Sequence, residues 1–284
     1  MPTPFFFLHL PRTAGTTLNS ILTRNFTPEQ IISIYANDEY AQRQALFDAK
    51  RSTLCLILGH LLLEGFSPPR IFDTPVRPFT FVREPVSRLV AEYRFLRSWK
   101  SNHLYAYLND KGISFRQYLT SKEQILRYRG KNFMTRCIAG LDPGPKDRPL
   151  AALAKAKRHL EKEFVFTGVQ ERFDESLLLL GEELNLHDLL YERRNALAKA
   201  EVIPIEAEDM DLARQINQGD LELYDFAVML LQERIAEKGP LFANKLKNFR
   251  FLNEKYQKMS RLLREQAGIA EGYDNLTLPK DSLW

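Results

Sequence analysis

With 284 residues, 44% of them hydrophobic and 27% charged, the chain can bury a full core, as one large domain or one and a half, which sets it among ordinary globular proteins. The longest apolar runs, residues 5–8 and 54–58, are far shorter than a bilayer span, and no basic leader precedes an apolar signal core. The expectation is therefore a cytoplasmic protein with no transmembrane segment. Cys55 and Cys137, the only cysteines, have apolar neighbours and read as buried reduced thiols, not as a disulfide or metal ligands.

The net charge of +4 conceals a segregation, with residues 111–160 strongly basic and residues 161–237 strongly acidic. Such a basic stretch suits a polyanion; equally, it suits a solvated helix surface whose charges pair with the acidic stretch.

In chain order, residues 5–10 form a near-continuous apolar run, as in a strand covered on both faces. Residues 16–26 follow with helical periodicity. Similar runs recur at 31–35, 54–58, 79–82 and 164–169, separated by helical patterns at 38–50 and 85–99. Strands alternating with helices predict an α/β fold with a central parallel sheet. Proline-rich residues 66–79 and glycine- and proline-rich residues 139–149 read as loops. After residue 171 the pattern is helical at 176–186, 221–235 and 241–267. The expected organisation is an α/β domain over 1–200 and a helical extension over 201–284 packed on it, or one domain throughout.

The segment Pro11-Arg12-Thr13-Ala14-Gly15-Thr16-Thr17 lies between the first strand and its helix, where backbone N–H groups and the helix dipole favour an anion. Gly15 lets backbone approach a phosphate, Thr16 and Thr17 add hydroxyls, and Arg12 adds a permanent charge. The nucleotide-triphosphate signature of two glycines, lysine and serine or threonine is absent. A second segment, Val82-Arg83-Glu84-Pro85-Val86-Ser87-Arg88-Leu89, again enters a helix from a strand, with Arg83 at the strand's carboxyl end, and it too could bind phosphate. Two such ends could grip a bisphosphorylated nucleotide.

This pair of motifs resembles the carbohydrate sulfotransferases of the heparan sulfate 2-O and 6-O type (sulfotransferase family 2). Leu58-Gly59-His60, Asn132-Phe133-Met134-Thr135-Arg136 and the stretch from Phe166 to Ser176 extend the resemblance over roughly the first two thirds of the chain. It implies a P-loop-like three-layer α/β sandwich. It also implies metal-free transfer of a sulfuryl group from 3'-phosphoadenosine 5'-phosphosulfate (PAPS) to a sugar hydroxyl, leaving adenosine 3',5'-bisphosphate (PAP). Carried over by position, Thr13, Ala14, Gly15, Thr16 and Thr17 would hold the 5'-phosphosulfate and Arg83 the 3'-phosphate. Arg12 stands where the family commonly has lysine against the leaving oxygen. Ala91 stands where it usually has serine, a gap that Ser87, one turn earlier, could fill.

The same resemblance makes His60 the general base; from the residues alone a structural loop histidine is the other reading, and Glu64 is the rival base. His9 reads as a hydrogen-bonded core residue with a donor contact still open, and His103, His159 and His187 read as exposed. Arg88, Arg94 and Arg97 could reach an acidic sugar or form a charged helix face. The expected acceptor is a glycan, with an acidic polysaccharide favoured by the basic stretch and no nucleic acid expected. A homo-oligomer stays open. The alternatives are a nucleotide-dependent phosphoryl transferase of related fold and a non-catalytic polyanion-binding protein.

Overall fold

The computed structural model describes residues 3–34, 40–60, 66–67, 70–71, 74–127, 129–140, 149–192 and 203–268. Strand β1 (Phe5–Leu8) leads through helix α1 (Gly15–Asn25), β2 (Ile31–Ile34) and α2 (Tyr40–Lys50) to β3 (Leu56–Gly59). A short antiparallel meander of β4 (Phe66–Ser67), β5 (Arg70–Ile71) and β6 (Thr74–Pro75) precedes β7 (Arg77–Val82) and α3 (Pro85–Ser98). Helices α4 (His103–Asp110), α5 (Phe115–Thr120), α6 (Gln124–Arg127), α7 (Phe133–Ala139) and α8 (Pro149–Lys162) separate these from β8 (Phe166–Val169) and α9 (Phe173–Leu184). Then come α10 (Ala207–Ile216), α11 (Gln218–Glu237) and α12 (Leu241–Gln266).

The central sheet has the order β2-β3-β1-β7-β8 with every pairing parallel. All four residues of β3 and of β8 are buried, as are the last three of β1 and the last five of β7. Strands covered on both faces are apolar throughout instead of alternating, which is why they show in the sequence as runs. β1 lies at the centre, its Leu8 level with Gly59 on one side and Thr80 on the other. The chain adds β2 and β3 on the first side and then β7 and β8 on the second. The boundary of β1 and β7 is thus the switch point of the sheet, and ligands of open parallel sheets lie beyond the carboxyl ends of the strands there.

The main core joins the sheet to its flanking helices and includes Leu223, Ala227 and Leu231 of α11 and Phe242 and Phe249 of α12. A second apolar cluster gathers Leu89, Tyr93 and Leu96 of α3 with Leu104, Phe115, Tyr118 and Ala213. The α/β architecture, its five-stranded parallel sheet and the helical C-terminal region are as expected. Helices α4 to α8 and α10 are additional to the expected elements, as are the strands inside residues 66–79. Pro78 sits second in β7, where its carbonyl still accepts from Val165 N–H at 2.8 Å. No helix among the described residues is long and apolar enough to cross a membrane. Of the segregated charges, Arg116 pairs with Asp209 at 2.7 Å and Lys157 with Glu222 at 3.5 Å, so part of the basic stretch does meet the acidic one.

Candidate active site at the carboxyl edge of the sheet

After β1 the chain turns sharply. Arg12 and Ala14 both have left-handed backbone, with φ of 65° and 69°, a conformation that costs a residue with a Cβ roughly 1–2 kcal/mol. The turn is fastened by the buried Thr13 hydroxyl, which donates to Leu10 O at 2.8 Å. Among the described residues no side chain caps the start of α1, and its first hydrogen bond runs from Leu18 N–H back to Ala14 O. Backbone N–H groups at such a helix start are suited to an anion. Gly15 is required here for a reason absent from the sequence reading: a Cβ on it would lie 1.6 Å from His9 Nε2.

β7 delivers the second arm. The Thr80 hydroxyl donates to Leu8 O at 2.8 Å, tying β7 to β1 at the edge, and Arg83 Nη1 donates to Arg12 O at 3.1 Å. Arg12 lays its guanidinium over Phe95 of α3, 4.4 Å from the ring centroid. The Nε atoms of both arginines are buried without a hydrogen-bond partner among the described residues. Burial, and then the charge of Arg12, lower the pKa of Arg83. Two cationic groups thus face each other at the switch point, an arrangement that an anion would relieve.

The start of α3 behaves differently from that of α1. Glu84's carboxylate accepts from Val86 N–H at 3.0 Å and Ser87 N–H at 2.7 Å, while its own N–H donates to Glu171 at 3.0 Å. A carboxylate of the chain thus already occupies these two amides. What remains at this end is the Arg83 side chain and the exposed Ser87 hydroxyl; Ala91 is buried.

His60 directly follows β3, with its N–H donating to Ile34 O at 3.3 Å. Its Nδ1 meets His9 O at 2.5 Å, and the two imidazole rings lie 4.0 Å apart between centroids. A carbonyl can only accept, so Nδ1 is assigned the proton and Nε2 the lone pair. Burial first, then His9 and Arg129, hold His60 well below the ordinary histidine range, outweighing the hydrogen bond to His9 O. His9, stacked on Phe7 at 5.3 Å, is pushed down to about 3 by burial and Arg12. Both rings are therefore neutral near pH 7, and His60 Nε2 has the form a general base requires. Glu64, the rival, lies outside the described residues.

Several other side chains have structural tasks. Arg88 is fully buried, paired with Glu92 at 2.8 Å and donating to Arg129 O at 3.1 Å, while Arg129 reaches the same Glu92 at 2.9 Å. Arg94 donates to Ile203 O, and Arg97 to Asn109 and to the Tyr93 hydroxyl. None of the three arginines of α3 thus stands free for an acidic sugar. His159, expected at the surface, is buried with Nδ1 against Ile138 O at 2.7 Å, whereas His103 and His187 are exposed. The Asn132 to Arg136 motif opens α7, whose Met134 and Thr135 N–H groups donate to Asp220, 86 and 85 residues away and beyond any local signal. Glu84, by contrast, was readable as an acidic residue before a helix-starting proline.

Residues 2–271 match the family model described as Galactose-3-O-sulfotransferase. Galactose-3-O-sulfotransferase 3 of Bos taurus is 27% identical over 253 residues, covering 82% of this chain and 58% of that protein. The Homo sapiens protein of the same name is 26% identical over the same length, with 57% of it covered, so the chain spans under three fifths of these relatives. A crystal structure of mouse sulfotransferase SULT7A1 complexed with PAP aligns at 13% identity over 78% of this chain and 66% of that one, with a TM-score of 0.37, a likeness too slight to build on. The match bears out the carbohydrate sulfotransferases to which the motifs pointed and does not confirm the heparan sulfate 2-O and 6-O type. Matched over nearly its whole length, the chain belongs to the galactose-3-O-sulfotransferase family.

Proposed function

We propose that the chain transfers a sulfuryl group from PAPS to a galactose hydroxyl of a glycan, the 3-hydroxyl being the position named for its relatives. The observation that carries this reading is His60 with its Nδ1 proton held by His9 O, the His9 ring in turn lying against Gly15 at the start of α1. Arg83, with Ser87 beside it, holds the 3'-phosphate of the donor. The amides from Thr13 to Thr17 and the Arg12 guanidinium hold the 5'-phosphosulfate. His60 Nε2 takes the acceptor hydroxyl proton as that oxygen bonds to sulfur and the bond from sulfur to the bridging phosphate oxygen breaks. Negative charge growing on the departing PAP falls on Arg12 and the loop amides.

His60→Ala should lower transfer to a galactose-terminated oligosaccharide by about 10²–10⁴-fold while PAP still raises the melting temperature. Turnover kept by the variant removes His60 from the mechanism. Stabilisation of the parent protein by ATP with magnesium, and none by PAP, would replace the reading with a phosphoryl transferase. An acceptor lacking only the galactose 3-hydroxyl should accept no sulfate.

A further inference from the structure

α12 has two unlike faces. Inward, Phe242 and Phe249 join the core, Asn253 accepts from Tyr191 N–H at 2.8 Å, and Lys245, Arg250 and Arg264 are paired with Glu182, Asp174 and Glu192. Outward, it exposes Leu241, Phe251, Leu252, Met259, Leu262 and Leu263, each by 51–78%. These are six of the nine large apolar side chains that are exposed among the described residues, so the apolar surface is concentrated on this helix. Leu252, Met259 and Leu263 are spaced by seven and four and fall on one line along the helix, with Phe251 and Leu262 beside it.

The charges that flank this strip have one dominant sign. Lys247, Lys255, Lys258 and Arg261 are exposed, against Glu254 and Glu265, and Lys255 Nζ reaches over the Phe251 ring at 5.1 Å, its stem lying along the apolar strip. Pairing α12 with α12 of a second copy would bring the same four cations together. A helix with an outward apolar strip and a basic margin suits the plane of an anionic bilayer: the apolar side chains enter the acyl boundary and the lysines meet headgroup phosphates.

We infer that α12 is a docking surface for anionic membranes, lying in the plane of the lipid surface with Phe251, Leu252, Met259, Leu262 and Leu263 inserted. The test is sedimentation of the full chain with phosphatidylcholine vesicles and with vesicles that also contain phosphatidylserine. Binding is expected only to the second kind and should be lost at high salt. Each of Lys247→Gln, Lys255→Gln and Lys258→Gln should weaken it roughly fivefold, the fold-change that corresponds to ~1 kcal/mol per basic residue at such a surface. The double variant Phe251→Glu/Leu263→Glu, at exposed positions, should abolish binding while its melting temperature and its response to PAP stay those of the parent. Absence of binding, equal binding to both kinds of vesicle, or binding that the double variant keeps overturns the inference. So does a dimer of the parent chain in sedimentation equilibrium that the double variant converts to monomer, which assigns the strip to a second copy.

Discussion

Two pairs of arginines sit close together in this molecule and are treated in opposite ways. Arg88 and Arg129 share the carboxylate of Glu92 inside the protein. Arg12 and Arg83 meet at the carboxyl edge of the sheet, where Arg83 donates to a carbonyl and both Nε atoms lack partners among the described residues. Only five residues separate Arg83 from Arg88, so neither sequence neighbourhood nor residue type decides the difference. The first pair is neutralised by direct ion pairs with one buried glutamate, whereas Arg83 has Glu171 and Glu84 near enough to raise its pKa without an ion pair among the described residues, and the proposed function gives that charge to the donor.

The largest expected effect breaks the internal pair. Glu92→Leu leaves Arg88 buried without its counter-ion and should cost about 3–5 kcal/mol of stability, read as the urea midpoint at unchanged slope. Near-parental stability would show that Arg88 reaches water and would erase the contrast. Arg83→Ala should do the reverse. Thermal stability is expected to change little, while the free energy of PAP binding measured by calorimetry should weaken by about 1.5–3 kcal/mol.

The paired histidines make stability depend on pH. In the folded protein His9 is at about 3, against an ordinary 6.5 in the unfolded chain, so between these values the unfolded chain binds more protons. The stabilisation is complete above the ordinary value and drains away as pH falls, by about 2 kcal/mol on reaching about pH 5. His60, also lowered, acts in the same direction. Chemical denaturation across this interval checks the slope, and His9→Gln should flatten it. Smallest of all, Ser87→Ala should leave folding unchanged and weaken PAP binding by about 0.5–1.5 kcal/mol, the contribution of one hydroxyl. An unchanged affinity would leave the 3'-phosphate end to Arg83 alone.

What was legible in the sequence follows from how these elements are buried. β1, β3, β7 and β8 are covered on both faces and stand out as apolar runs, and the arms that bear Arg12 and Arg83 follow from them. α4 and α5 carry local start signals, Asn102 as a cap and Ser114 with Gln117 as a capping box, but their short spans hide the helical period. The partnership of Arg88 with Glu92 was visible as an i,i+4 pair, yet its complete burial depends on Arg129, 37 residues on, and on the packing of α5. The role of Asp220 at the start of α7 and the contact of His9 with both His60 and Gly15 are tertiary, and no spacing in the sequence encodes them.

That last contact restricts how the protein can vary over evolutionary time. With the His9 ring filling the space where a side chain at position 15 would begin, the two positions form one steric unit despite lying on a strand and a helix. A drift to alanine or serine at position 15 should be seen only together with a smaller residue at position 9, and such a replacement would also alter the ring that lies tilted against His60. Divergence in acceptor preference is therefore freer to proceed elsewhere, while positions 9, 15 and 60 must change as a set or stay as they are.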